Sequence, residues 1–158
     1  LCRMLATHHP LWLNTHFNHP RELTADAEEA CARLADAGVP LGNQSVLRAG
    51  INDDVATMQR LCEGQLRMRV RPYYCYQAQL LEGTAQFRVP IERGMQLFSQ
   101  LRGRTSGFAI PTYVLDTPHG KVPLTQASVR GRDGDDVLVE TWTGHVWREP
   151  NPPDVSPD

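Results

Sequence analysis

Val39-Pro-Leu-Gly-Asn-Gln-Ser-Val-Leu47 leads through a polar turn into an amphipathic stretch, which gives way to Val70-Arg-Pro-Tyr-Tyr-Cys-Tyr76. The two outer runs carry β-branched and aromatic residues and are short enough for buried strands. Between them Val55, Met58, Leu61, Cys62 and Leu66 fall on one stripe at helical spacing, with Asn52 or Asp53 as the expected cap. Strand, helix and strand therefore follow one another. The pattern repeats outward. Leu11-Trp-Leu-Asn-Thr-His16-Phe17 reads as a short strand, and Thr24 caps a helix that runs to about Ala37 and stops at Gly38. A third helix spans Pro90 to about Leu101, with proline at its start and Gly103 beyond its end, and Phe108 to Leu115 is a fourth strand. Three strand–helix units followed by a strand give an α/β fold with parallel strands, part of a doubly wound sheet or of a β/α barrel.

The tail changes character. Asp133 to Trp147 alternates around a Thr-Gly turn and is expected to form an antiparallel hairpin, and the proline-rich stretch from Pro150 to Asp158 is expected to be disordered. The expected division is 1–124 for the β/α part, 125–149 for the hairpin extension and 150–158 for the tail.

Composition excludes several classes. A net charge of −2 argues against a nucleic-acid footprint or a polybasic membrane anchor. Arg67, Arg69 and Arg71, and likewise Arg102 and Arg104, read as solvated faces or local anion contacts. No run approaches a membrane span, and Leu1-Cys-Arg-Met-Leu has neither region of a signal peptide. Opening on Leu1, the chain is expected to be a fragment. Cys2, Cys31, Cys62 and Cys75 show no CxxC spacing, so they are expected to be reduced, mostly buried thiols of a cytoplasmic protein, with no metal site among them.

Lys121 is the single lysine beside fifteen arginines, and it follows Asp116-Thr-Pro-His-Gly at the end of the fourth strand. Arginine replaces a solvating lysine but cannot form an imine with an aldehyde, because its guanidinium stays protonated. A turn lysine left behind by arginine drift is the competing reading. In a β/α barrel, function gathers at the C-terminal ends of the strands. Those ends offer His16, Gln44, Tyr76 with Gln79, and Asp116 with Lys121. Taken singly, each has a structural explanation: His16 as a turn residue, Gln44 as a loop hydrogen bonder, and Tyr73, Tyr74 and Tyr76 as residues split between the core and the barrel mouth. Together they point to a site, without identifying its reaction.

Several long motifs, in order, resemble the lysine 2,3-aminomutase family. They are Trp12-Leu-Asn-Thr-His-Phe-Asn-His-Pro20, Gly38-Val-Pro-Leu-Gly-Asn-Gln-Ser-Val-Leu47 with Gly50-Ile-Asn-Asp53, and Met68-Arg-Val-Arg-Pro-Tyr-Tyr74. Glu82-Gly-Thr-Ala-Gln-Phe-Arg88 and Leu101-Arg-Gly-Arg-Thr-Ser-Gly107 continue the series. The resemblance implies the C-terminal part of a radical S-adenosylmethionine enzyme with a partial β/α barrel. In that family a [4Fe-4S] cluster on CxxxCxxC cleaves S-adenosylmethionine to a radical, and pyridoxal phosphate, held as an imine by a lysine, carries the migrating amino group. By the match of Asp116-Thr-Pro-His-Gly-Lys121 to the family's Asp-Ala-Pro and glycine run, with a loop about two residues shorter, the resemblance makes Lys121 that lysine. It further implies that Lys121, Tyr76, Gln44 and His16 contact the cofactor and that Asp116 and Gln79 contact the substrate.

Three departures stand out. CxxxCxxC is absent, so its ligands are expected upstream of Leu1, and the chain alone is expected to be inactive. Lysine-specific members carry two aspartates for the substrate ammonium, whereas here Asp116 matches one and Gln79 stands at the other. Some members bind structural zinc through a cysteine that is Asp54 here, and the tail has no cysteine, so no zinc is expected. The expected activity is an isomerase acting on a small basic amino acid, L-lysine to β-lysine. An aminomutase for arginine or for a protein-borne lysine, or a non-catalytic truncated remnant, are the alternatives. No nucleic-acid or membrane partner is expected, and a homo-oligomer is compatible with the sequence.

Overall fold

In the strand Leu41–Leu47, alternate side chains are buried, and that alternation sets the architecture. The computed structural model describes residues 1–153. Helix α1 (Cys2–Ala6), unexpected from its sequence, buries none of its residues. It is followed by β1 (Leu13–Thr15), α2 (Ala25–Asp36), β2 (Leu41–Leu47), α3 (Val55–Arg67), β3 (Val70–Gln77), α4 (Ile91–Leu101), β4 (Thr112–Thr117) and β5 (Gly120–Pro123). These strands form one sheet in the order β1-β2-β3-β4-β5; β1 to β4 are parallel and β5 is antiparallel to β4.

The parallel strands and their intervening helices follow the sequence pattern. Thr24 caps α2 by accepting from the Ala27 N–H, and α2 stops before Gly38, whose φ of +81° suits only glycine well. The cap of α3 is Asp54, which accepts from the Thr57 N–H, rather than Asn52 or Asp53. Both expected caps are engaged one turn earlier. Buried Asn52 accepts from the Arg48 N–H and donates to the carbonyls of Asn18 and Val46, while Asp53 accepts from Gly50 and pairs with Arg93 at 3.0 Å. Strand four begins at Thr112, not Phe108, because Gly107–Ala109 closes a 3₁₀ turn under the Ser106 side chain.

Helices pack on one face of the sheet. Leu47, Cys75, Tyr113 and Leu115 meet Met58, Leu61 and Cys62 of α3 and Leu97, Phe98 and Leu101 of α4. Leu41 and Val70 meet Cys31 and Leu34 around α2. Buried parallel sheets normally carry cover on both faces. Here the opposite face presents Gln44, Val46, Tyr74, Tyr76 and Asp116, none of them fully buried. A register shift between β2 and β3 at Asn43/Gln44 makes this possible. Pro72 has no N–H for the ladder, Tyr73 is the extra residue, and beyond it Tyr74 and Tyr76 fall beside Gln44 and Val46.

The tail is a three-stranded antiparallel sheet of β6 (Val129–Asp133), β7 (Asp136–Glu140) and β8 (Val146–Pro150). The expected hairpin is β7 with β8. Strand β6 escaped the sequence reading because Arg130, Gly131, Arg132 and Asp133 are all exposed and leave no apolar alternation. Val137 and Val139 join Val122 and Leu124 in the main core. Order also extends past the expected start of the disordered tail. Pro150 ends β8, and buried Asn151 accepts from the Ile91 N–H and donates to Glu92, capping α4 where Pro90 cannot. The remainder of that expected tail, 154–158, lies outside the described residues. Arg88 and Glu149 form a buried ion pair, in which the guanidinium also donates to the carbonyls of Ala78 and Pro150. Among the described residues no helix is long and apolar enough to cross a membrane.

Candidate functional site

The uncovered face opens, at the C-terminal ends of β2, β3 and β4, into a cleft of about 560 Å³. Gln44, Val46 and Arg48 enter it from β2 and the residue just beyond, Tyr76 from β3, and Asp116 from β4. The loop after β3 supplies the remaining wall through Gln79, Leu81, Thr84 and Phe87. Arg88 fixes that loop by bonding the Ala78 carbonyl at the loop's other end, at 2.8 Å.

Lys121 lies in strand β5, not in the strand-end loop expected of it. Thr117 pairs with Gly120 across a two-residue turn, and Asp116 pairs with Lys121 one step further. The turn is closed by its own side chain: Thr117 Oγ1 donates to the Gly120 carbonyl at 2.7 Å and accepts from the His119 N–H at 3.1 Å. From the small sheet, Trp142 Nε1 donates to the His119 carbonyl at 3.1 Å. Gly120 has φ +104°, a conformation that L side chains rarely adopt.

This pairing brings the Lys121 ammonium to 3.8 Å from Asp116 Oδ1 and 6.0 Å from the centre of the Tyr76 ring. Both charged side chains are close to half exposed, so solvent screens the attraction between them. Lys121 stands at the rim of the cleft, and it borders a second depression of about 290 Å³ shared with Glu140 and Trp142. Burial, and then the Asp116 charge, push the Tyr76 phenol above its ordinary range, which keeps it a protonated donor.

Of the residues singled out from sequence, the cleft brings together Gln44, Tyr76, Gln79 and Asp116, with Lys121 reaching them through Asp116 and Tyr76. His16 is exposed, one residue past the end of β1, and does not line the cleft. Arg48, Thr84 and Phe87 were not singled out. The signal for Arg48 was present: it continues the Gln44, Val46 alternation by one more step. Thr84 and Phe87 sit in a loop whose path no periodicity encodes.

The amine of Lys121, beside a carboxylate and at the edge of an aromatic-walled cleft, fits an aldehyde cofactor such as pyridoxal phosphate. The cysteines do not fit an iron–sulfur cluster. Cys31, Cys62 and Cys75 are buried, burial pushes the Cys62 and Cys75 thiols up to about 12, and among the described residues no three His, Cys, Asp or Glu converge to hold a metal.

The sequence model of a family described as lysine-2,3-aminomutase matches residues 98–158. The L-lysine 2,3-aminomutase of Fusobacterium nucleatum is 50% identical over 148 residues, covering 92% of this chain and 35% of the relative. That of Bacillus subtilis is 44% identical over 160 residues, covering 100% of this chain and 34% of the relative. The glutamate 2,3-aminomutase of Clostridioides difficile is 45% identical over 156 residues, covering 98% of this chain and 37% of the relative. The chain thus spans about a third of the length of these curated relatives.

Proposed function

Because this chain belongs to the lysine 2,3-aminomutase family and corresponds to the C-terminal part of its members, we propose that it supplies the cofactor lysine and part of the substrate pocket of a pyridoxal phosphate-dependent radical aminomutase. In this reading the sheet is part of a β/α barrel whose interior is the uncovered face. The observation that carries it is the placement of the chain's one primary side-chain amine 3.8 Å from Asp116 at the mouth of a cleft on that face.

Each residue has a task. Lys121 offers its amine as the anchor of the cofactor. Pyridoxal phosphate, when bound, supplies an aldehyde for amino groups and a conjugated ring that delocalises an unpaired electron. Tyr76 holds its phenolic proton as a donor beside that position, and Gln44 offers an amide from the neighbouring strand. Asp116 provides the counter-charge for the substrate's distal ammonium, and Gln79 accepts a hydrogen bond from it. The proposal places the S-adenosylmethionine and [4Fe-4S] chemistry on parts of the enzyme outside residues 1–153, and no step is assigned to the buried cysteines.

The substrate is a basic amino acid, L-lysine foremost. Relatives named for lysine and for glutamate are almost equally similar, so similarity alone does not choose, whereas Asp116 favours a cationic side chain. The test is turnover by the full-length enzyme, with S-adenosylmethionine and reductant, of L-lysine, L-arginine and L-glutamate in parallel. The proposal expects a β-amino product from L-lysine. Exclusive turnover of L-glutamate would refute the substrate assignment, and no turnover of any amino acid would refute the enzyme.

A further inference from the structure

Trp142 stands in the turn between β7 and β8 with 82% of its surface exposed, so its indole adds little to the core. Its contacts go instead to the turn that precedes Lys121. Nε1 donates to the His119 carbonyl at 3.1 Å, and the ring lies over Gly120, where a Cβ would meet Nε1 at 3.5 Å and Cδ1 at 3.7 Å. His145, from the same turn as Trp142, packs its ring against that of His119 with centroids 4.2 Å apart. The support is itself well fixed. The buried Thr141 N–H donates to the His145 carbonyl at 2.8 Å, the Thr141 carbonyl accepts from Gly144 at 2.9 Å, and Val137 and Val139 root β7 in the main core. The hairpin that it touches is less secure. β5 is the four-residue edge strand of its sheet, and solvent screens the Lys121–Asp116 attraction. Buried Val122 anchors β5 after Lys121, whereas before it the turn relies on the Thr117 side chain and on Trp142 and His145.

We propose that Trp142 is a positioning residue for the cofactor lysine: from the small C-terminal sheet it clamps the β4–β5 turn and so holds the Lys121 amine at the rim of the cleft. The inference rests on the cofactor reading of Lys121 and deepens it. The small sheet then has a task at the site, although none of its strands lines the main cleft. Joining an amine to an aldehyde demands a set distance and direction, so a turn that wanders weakens that bond while leaving the rest of the cofactor site intact. The indole acts in two ways, through its N–H on the His119 carbonyl and through its ring on Gly120. Phenylalanine keeps the second and loses the first; alanine loses both.

Titration of the full-length protein with pyridoxal phosphate and with pyridoxine phosphate, which has an alcohol in place of the aldehyde, separates positioning of the amine from general support of the site. Trp142→Ala should weaken pyridoxal phosphate about fivefold or more and leave pyridoxine phosphate unchanged, with Trp142→Phe between wild type and Trp142→Ala. The melting temperature should move by no more than about 4 °C, because the indole is mostly exposed. Hydrogen exchange of the cofactor-free protein should quicken about fivefold at the backbone amides from Thr117 to Lys121 in Trp142→Ala. A loss shared equally by the two phosphates, an unchanged affinity for pyridoxal phosphate, or unchanged exchange in the turn would overturn the proposal. A wild type with no preference for pyridoxal phosphate over pyridoxine phosphate, in which Trp142→Ala still quickens exchange of the turn, would refute the cofactor reading of Lys121 and leave the clamp on the hairpin standing.

Discussion

Replacing Arg88 by Met tests how the wall of the cleft is held. The Arg88 and Glu149 side chains are only 3% and 10% exposed. The guanidinium supplies three contacts, to Glu149, to the Ala78 carbonyl and to the Pro150 carbonyl. Methionine fills the volume but leaves the Glu149 carboxylate with Trp147 Nε1 as its one remaining partner among the described residues, and both carbonyls without the guanidinium donor. Removing one member of a buried pair costs about 3–5 kcal/mol. For a protein of this size that lowers the melting temperature by roughly 6–20 °C. Replacing both residues, Arg88→Met with Glu149→Leu, removes the orphaned charge and should recover much of the loss. The coupling energy in the double-mutant cycle should be about 2 kcal/mol or more. Thermal unfolding followed by far-ultraviolet circular dichroism, on the wild type and the three variants, supplies the numbers. Additive losses, or a single-variant loss under about 1 kcal/mol, would show that the pair is not the clamp between the cleft loop and β8.

Gly120→Ala forces an alanine into φ +104° at the turn before Lys121. It should cost about 1–2 kcal/mol by denaturant titration and lower pyridoxal phosphate loading, whereas an unchanged midpoint would remove the strain argument. Asp116→Asn should weaken L-lysine binding about tenfold or more by loss of the counter-charge, while Gln79→Asp should lower the Michaelis constant for L-lysine; full L-lysine turnover in Asp116→Asn would refute the assigned role. Cys62 and Cys75, raised to about 12 by burial, should resist iodoacetamide at pH 8 until the chain is unfolded. Because their folded pKa lies above the ordinary thiol value of about 8.5, their contribution is complete below that pH and is lost as pH rises toward 12. Stability should therefore fall by up to about 1.4 kcal/mol per pH unit for each thiol above pH 9, and a flat profile there would contradict the burial.

The parallel part of the fold was legible because its helices have one apolar face and its strands are bounded by turn residues. Thr24, Gly38, Pro90 and Gly103 fall where they were expected. What escaped the sequence depends on long-range partners. Strand β6 is polar after Val129 and is specified by pairing with β7, and Asn151 caps a helix sixty residues away in sequence. The cap of α3 moved to Asp54 because Asn52 and Asp53 serve contacts to Asn18 and Arg93 that no local pattern reveals. At the site, Asp116 and Lys121 were legible as a pair, but their proximity comes from the register of a two-residue hairpin rather than from a loop. Arg48 was overlooked among fifteen arginines, since only the structure shows that it lines the cleft.

Borohydride reduction of the full-length protein loaded with pyridoxal phosphate, followed by digestion and mass spectrometry, tests the central assignment most directly. The pyridoxyl mass should appear on the peptide that contains Lys121 and vanish in Lys121→Arg, with the variant still folded by circular dichroism. A label on another lysine of the full-length protein, with Lys121 unmodified, would contradict the account.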